Sequence, residues 1–361
     1  MLEPFVLSAE FGPVIARYLD QKSSVEDSRG NGPWLPELWP GLVSEIGVAG
    51  LTVPDAYGGQ GAGLLELGAA VHEAGAHGWS GPVVAVSGVA VALLRVLDPE
   101  DSSGLQRDIA EVGRVVVPAF HEDSVGESVA STAVLREGCV TGRRLFVDSG
   151  MHATDLLLVA HDGEEPALVM VAADAEGLTV RTQDAVDPGR GVAAASLAGV
   201  PAREIARGAA VPRAVRDAWT IGALLIATDA VGAAGRAFEL ACEYAITRRQ
   251  FGRTIGSFQA VKHKLVDMYA ELEMARSAIR EALRLAATAE PGWQTASSAA
   301  KSVAGDATTW ILREAIHVHG GIGFTWEHEL SHHFRRVMAC RALYGAPVLH
   351  RRLVAADRGL A

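Results

Sequence analysis

The spacing of apolar residues changes twice along the chain. Up to about residue 112 they recur at intervals of three and four, most clearly over Leu38 to Val48 and Leu64 to Ala76, which predicts helices joined by loops. Between those two stretches lies Leu-Thr-Val-Pro-Asp-Ala-Tyr-Gly-Gly-Gln-Gly-Ala-Gly. Pro54 and Asp55 open a turn there, and Gly58, Gly59 and Gly61 give the backbone positive-φ freedom. Such a loop can bring N–H groups to a ligand or can connect two helices. From about 113 to 208 the period shortens. The runs containing VVVPAF, GCVTGRRLFVDSG, TDLLLVAHD, PALVMVAAD and GLTVRTQDA are β-branched and separated by Gly, Asp, Glu and Pro, which predicts a β-sandwich or barrel. No strand–helix alternation with a glycine fingerprint occurs, so a dinucleotide fold of the Rossmann type is disfavoured.

From about 209 the helical period returns. Val211 to Tyr244 reads as one helix of about thirty residues, roughly 50 Å long at 1.5 Å per residue. Ser257 to Ala289 follows, with Phe258, Val261, Leu265, Met268 and Leu272 on one stripe, and Thr295 to Val318 is a third long helix. Successive long helices with short breaks predict an antiparallel bundle. The fold class is therefore mainly α with a central β-domain. Its parts are an N-terminal helical domain over 1–112, a middle β-domain over 113–208 and a C-terminal helical bundle over 209–361.

Composition narrows the function classes. The chain has 361 residues, enough for a sizeable core. Its net charge of −11 opposes nucleic-acid binding, which needs a basic surface facing phosphates. The most apolar window, Ile221 to Ala237, is broken by Thr228 and Asp229 and is shorter than a bilayer span, so it reads as a buried core helix. The N-terminus has no basic-then-apolar leader, and a cytoplasmic location is expected. Cys139, Cys242 and Cys340 are too far apart for a zinc or disulfide pattern.

Two segments carry chemistry. Arg248, Arg249 and Arg253 cluster where the first long helix of the bundle ends, with Phe251, Gly252 and Gln259 close by. A guanidinium fork fits phosphate oxygens, while the same cluster could be a charged inter-helix loop. Further on, His317 and His319 precede Gly320-Gly321 and Gly323. Consecutive glycines can let amides approach a pyrophosphate, or simply end a helix. His317, His319, His328, His332 and His333 lack metal-ligand spacing, so no metal is expected.

Together these segments resemble the acyl-CoA dehydrogenase family. The family's R-x-Q-F-G with a later F-Q pair matches Arg248, Gln250, Phe251, Gly252, Phe258 and Gln259. Its H-G-G-x-G-F/Y-T pattern matches His319 to Thr325, and V-P-x-x-Y-G-G-x-G-x-G matches Val53 to Gly63. The resemblance implies an FAD flavoprotein acting on an acyl-CoA thioester, with an electron-transfer acceptor and an oligomeric assembly. It implies that the arginine segment of one subunit and the His-Gly-Gly segment of its neighbour hold the adenosine and diphosphate of FAD. Arg248 would meet phosphate, and Phe251, Gly252, Gln259, His317, Gly320 and Gly321 would line the cofactor. The flavin ring would pack on the stretches Pro118 to Glu122 and Phe146 to Ser149.

The chain departs from the family where the reaction needs a base. Removal of a proton beside a thioester carbonyl requires a positioned carboxylate. Most relatives carry a Glu near the C-terminus where Gly345 stands here. Others carry it on the first long helix of the bundle, at a position that counting back from Arg248 puts near Gly222, again without a carboxylate. Asp229 is a weak candidate, either a base with a raised pKa or a helix-packing acid with a local partner; Asp217 and Glu327 are the other nearby acids, and a structural role is expected for Glu327. Where relatives read T-E-P and W/F-I-T-N, this chain has His121-Glu122-Asp123 and Phe146-Val147-Asp148-Ser149. A carboxylate at 148 would oppose negative charge building on a reduced flavin. These departures resemble the base-lacking subunit of actinobacterial α2β2 acyl-CoA dehydrogenases, some acting on sterol side chains, in which a homologous subunit supplies the base. A flavin-poor structural subunit and a stand-alone flavin enzyme of other chemistry are the competing readings.

Overall fold

The structure is a computed structural model in which residues 7–8, 10–22, 38–97, 99–122 and 131–360 are described; Asp123, the last residue of the stretch that replaces T-E-P, lies outside them. The N-terminal part holds helices α1 (Gly12–Lys22), α2 (Leu38–Gly41), α3 (Leu64–Ala76), α4 (Val91–Arg95) and α5 (Pro99–Arg107). Glu66 accepts a hydrogen bond from Gly63 N at 3.0 Å and so starts α3. A π-type segment, Val84–Ala90, runs directly into α4 to make a single, almost fully buried apolar rod.

The middle part has strands β1 (Val116–Pro118), β2 (Val134–Arg136), β3 (Cys139–Val147), β4 (Asp155–Asp162), β5 (Glu165–Ala172), β6 (Leu178–Thr182), β7 (Ala193–Pro201) and β8 (Arg203–Arg207). They hydrogen-bond in the order β6-β7-β3-β2-β4-β5-β8, with β1 parallel to β4. A single parallel pairing, Val134 with His161, joins the two halves of this path. Arg144 reinforces that junction from a fully buried position. Its Nε donates to the Ala119 carbonyl at 3.0 Å, and its Nη atoms reach Glu122, Ser131 and the Val159 carbonyl.

The C-terminal part begins with α6 (Ala210–Thr247), 38 residues and about 57 Å long. A short hairpin, β9 (Arg249–Gln250) and β10 (Arg253–Thr254), leads to α7 (Gln259–Ala287). Then come α8 (Trp293–His319), α9 (Glu329–Ala342) and α10 (Pro347–Asp357). Every residue from Ala218 to Gly235 is buried. By length and hydropathy α6 could cross a membrane, but its apolar window is wholly covered by protein. Small residues allow α3 to come close to it: a Cβ on Gly75 would lie 2.1 Å from the Asp229 carbonyl oxygen, and one on Gly232 would lie 2.0 Å from that of His72. The stripe expected on α7 turns inward at Met268 and Leu272, and its first members are half-buried.

Candidate active site

The loop at Val53–Gly63 is closed on itself. The amides of Gly59, Gln60, Gly61 and Ala62 donate to the carbonyls of Pro54, Gly50, Val53 and Leu51. Those N–H groups are committed to backbone partners, which fits a connector and not a phosphate cradle.

Gly345 and Gly222, at and near the positions where the resemblance expects a base, are both in contact with the segment around Tyr344. A Cβ on Gly222 would lie 2.4 Å from Tyr344 Cε1, so the phenol ring rests directly on the α6 backbone. Tyr344 is buried, and burial, reinforced by the Asp148 carboxylate, raises its pKa above the ordinary tyrosine value. Its carbonyl is 2.8 Å from His350 Nε2, and the His350 ring stacks on Trp219 with centroids 5.3 Å apart. Gly345 itself has φ +93° and is hemmed in by Leu349, His350 and Trp219.

Asp229 is not available as a base. Its Oδ1 accepts from Arg336 Nε at 2.6 Å, and its Oδ2 accepts from Arg336 Nη2 at 2.8 Å and from Arg190 Nη2 at 2.5 Å. The two guanidiniums outweigh the effect of burial and hold the carboxyl below its usual range. This is the packing acid with a local partner, and it corrects the reading of Asp229 as a raised-pKa proton acceptor. The other acids are no better placed. Asp217 accepts from Gln294 Nε2 at 3.3 Å and lies 3.9 Å from Arg213, and Glu327 is exposed.

Arg190 also reaches Asp148, at 3.4 Å to both carboxylate oxygens. Burial raises the Asp148 pKa while Arg190 opposes that shift. The Arg336 guanidinium continues to the N-terminal part, donating to Ser80 Oγ and the Trp79 carbonyl, both at 2.7 Å. All four charged residues are 2 to 3% exposed. Thus Asp148 and Arg190 from the β-region, Asp229 from α6 and Arg336 from α9 form one buried quartet. Sequence reasoning missed Arg190, Arg336 and Tyr344. The only signal was an aspartate inside an apolar helix, which demands a cation without saying which one.

The dinucleotide motifs lie at the other end of α6, on the surface. Arg248, Arg249, Gln250, Phe251, Gly252, Arg253 and Gln259 are all exposed, Phe251 at 92%. Phe251 has φ +50° and Gly252 φ +78°, so the hairpin turn projects the phenyl ring outward, edge-on to Phe258 at 6.3 Å. Arg253 lies over the Phe258 ring at 4.0 Å. The Arg248 guanidinium makes no ion pair among the described residues. Gly320 and Gly321 are exposed, and Cβ atoms there would meet open space. His317 is exposed and lies 3.5 Å from Glu314. His319 is buried, with Nδ1 2.8 Å from the Ala315 carbonyl.

The family resemblance splits the arginine and glycine segments between neighbouring subunits. In this chain the helix ends that lead into the two segments are adjacent, the Tyr244 and His319 rings stacking at 4.4 Å.

The ring-binding and dinucleotide-binding halves of an FAD site thus differ in fit. The exposed Arg248, without an ion pair among the described residues, and the open glycine pair suit a diphosphate. The proposed ring wall suits a flavin poorly: Ala119, Phe120, His121, Val147, Asp148 and Ser149 are buried by the protein itself, and only Glu122 and Phe146 are partly exposed.

Residues 14–100 match the N-terminal domain and residues 213–358 the C-terminal domain of acyl-CoA dehydrogenases. Among characterised sequences, acyl-CoA dehydrogenase IpdE2 of Mycolicibacterium smegmatis is 29% identical over 323 residues, covering 86% of this chain and 85% of its own. Among solved structures, the ChsE4-ChsE5 complex of Mycobacterium tuberculosis superposes with TM-score 0.87 at 24% identity, over 99% of this chain and 100% of that one. A Tcur3481-Tcur3483 steroid ACAD gives TM-score 0.85 at 25% identity, over 98% of each chain. With its helical N-terminal region, central sheet and helical C-terminal region, this chain belongs to the acyl-CoA dehydrogenase family.

Proposed function

We propose that this chain is the base-lacking subunit of a hetero-oligomeric acyl-CoA dehydrogenase. A homologous partner supplies the carboxylate that removes the α-proton of an acyl-CoA thioester. FAD, when bound, accepts hydride from the β-carbon. This chain's contribution is to bind and orient. Arg248 holds the diphosphate in a charge-assisted contact, Phe251, Gly252 and Gln259 line the adenosine end, and the Gly320-Gly321 amides lie beside it with His317 at the rim. The kinship with steroid-acting structures favours an acyl group carried on a steroid side chain, and a fatty acyl group is the alternative within the same chemistry. Electrons leave to a separate acceptor.

The observation that carries this reading is Gly345 at one base position and Gly222 near the other, with Tyr344 packed against Gly222. A stand-alone enzyme would need another proton acceptor, and Asp229 is locked between two arginines. The test is co-expression with a base-bearing homologue encoded nearby. Flavin absorbance and turnover of a CoA thioester should appear only in the co-purified pair. Flavin and turnover from this chain alone would refute the assignment.

A further inference from the structure

The reading just given leaves open what became of this chain's own ring-binding cleft. A cleft built to receive a ring has walls that face solvent when no ring is present. Here Val147, Asp148 and Ser149 are 2 to 3% exposed and Ala119 is fully covered, with only Phe146 and Glu122 half-buried at the edge. What covers this wall is charged. The Arg190 guanidinium lies between the Asp148 and Asp229 carboxylates, and Arg336 closes the far side of Asp229.

Asp187 adds a third buried carboxylate, with Oδ2 4.0 Å from Arg190 Nε, so Arg190 is the shared counter-ion of Asp148, Asp187 and Asp229. A ring entering beside Asp148 would displace Arg190 and leave those buried carboxylates with Arg336 alone, which is strongly unfavourable. The quartet also spans all three parts of the molecule. Arg336 ties α9 to α6 and to the Gly78–Ser80 segment, while Arg190 ties the sheet to α6 and to Cys340 Sγ at 3.3 Å. On the other flank, the Tyr344 ring lies against Gly222, and the Trp219–His350 stack backs Gly345.

Resting on the proposed subunit role, we infer that this cleft has become a ligand-free clasp. The Asp148–Arg190–Asp229–Arg336 quartet and Tyr344 take the place of a flavin ring and a thioester, and hold the three parts of the chain together without either. FAD then touches this chain only through its surface arginine and glycine segments, and the ring belongs to the base-bearing partner.

Two measurements test the clasp separately from the subunit role. The first is thermal unfolding of the full chain alone, titrated with FAD. The clasp predicts an unchanged midpoint, whereas a saturable rise of several degrees with flavin fluorescence quenching overturns it. The second is the flavin content of the co-purified complex, read by absorbance after denaturation. One flavin per pair of unlike chains supports the clasp. One flavin per chain overturns it but leaves the subunit role standing. If no complex forms, or if Arg248→Ala in the complex loses no flavin, the subunit role fails, and the titration on the full chain alone still decides the clasp. Asp148→Asn, which keeps shape while removing one charge, serves as the milder companion to any quartet variant that fails to fold; it should lower the midpoint equally with and without FAD, and a midpoint restored by FAD would overturn the clasp.

Discussion

The Tyr344 ring occupies the space that a side chain at position 222 would need, with its Cε1 2.4 Å from the site of a Gly222 Cβ. Gly222 and Gly345 are therefore parts of one packing arrangement. Reinstating either carboxylate should fail. In Gly345→Glu the new Cβ would lie 2.9 Å from Leu349 Cδ2 and 3.0 Å from His350 Nε2, at φ +93°. Overpacking costs about 1–3 kcal/mol and a left-handed non-glycine residue about 1–2 more. We expect a clearly lowered unfolding midpoint and no thioester-dependent flavin or dye reduction by Gly345→Glu alone. Turnover by that variant without a partner would show that the cleft is open.

The second expectation concerns Asp229. Three hydrogen bonds from Arg190 and Arg336 end on its carboxylate in a dry interior. In Asp229→Asn the shape survives, but two guanidiniums lose their shared counter-ion. Breaking a buried pair from one side typically costs about 3–5 kcal/mol. Denaturant titration should show a loss of that order. Because Arg336 also holds the Trp79 carbonyl and Ser80 Oγ, limited proteolysis should become faster in the N-terminal part.

A pH dependence follows from Lys301. Its ammonium is buried and donates to the Cys340 carbonyl. Burial lowers its pKa to about 7, with Arg190 and Arg341 adding to the shift and Cys340 and Asp229 opposing it. Below pH 7 both folded and unfolded chains carry the proton, so the burial penalty is felt in full. Above pH 7 the folded chain has released a proton that the unfolded chain retains up to its ordinary value of 10.5. Stability should therefore rise with pH from about 7. The rise should end near pH 9, where Cys340, pushed up to about 12 by burial, starts to favour the unfolded thiolate. Lys301→Met should flatten the rising limb; an unchanged slope would show that Lys301 is charged throughout.

The long helices and the β-to-α transition were legible because their signals are local. Period, turn residues and length placed α6, α7 and α8 within a few residues of Ala210–Thr247, Gln259–Ala287 and Trp293–His319. Strand β7, Ala193–Pro201, was not singled out: Ala-Ala-Ala-Ser-Leu-Ala-Gly has weak strand preference, and the segment is a strand because β3 and β6 pair with it on both sides. The same distinction divides the site. The hairpin arginines and the glycine pair sit in contiguous motifs and can be read one after another. The quartet joins residues 39 to 188 positions apart, so only the fold brings Asp148, Arg190, Asp229 and Arg336 together.

Arg248 gives the last prediction. Its side chain is exposed and makes no ion pair among the described residues, so its removal deletes no folded-state contact of consequence. A surface substitution of this kind changes stability by no more than about 0.5 kcal/mol. Arg248→Ala should therefore leave the unfolding midpoint of the full chain where it was. In the complex, a charge-assisted contact to a diphosphate is worth about 1.5–3 kcal/mol, or roughly 10- to 150-fold in FAD affinity. Arg248→Lys keeps the charge but loses the two-pronged geometry, so it should recover only part of that affinity. The comparison separates geometry from charge: equal retention of flavin by the Ala and Lys variants would place the diphosphate elsewhere, while graded retention, with unchanged midpoints in both, fits phosphate recognition by the guanidinium.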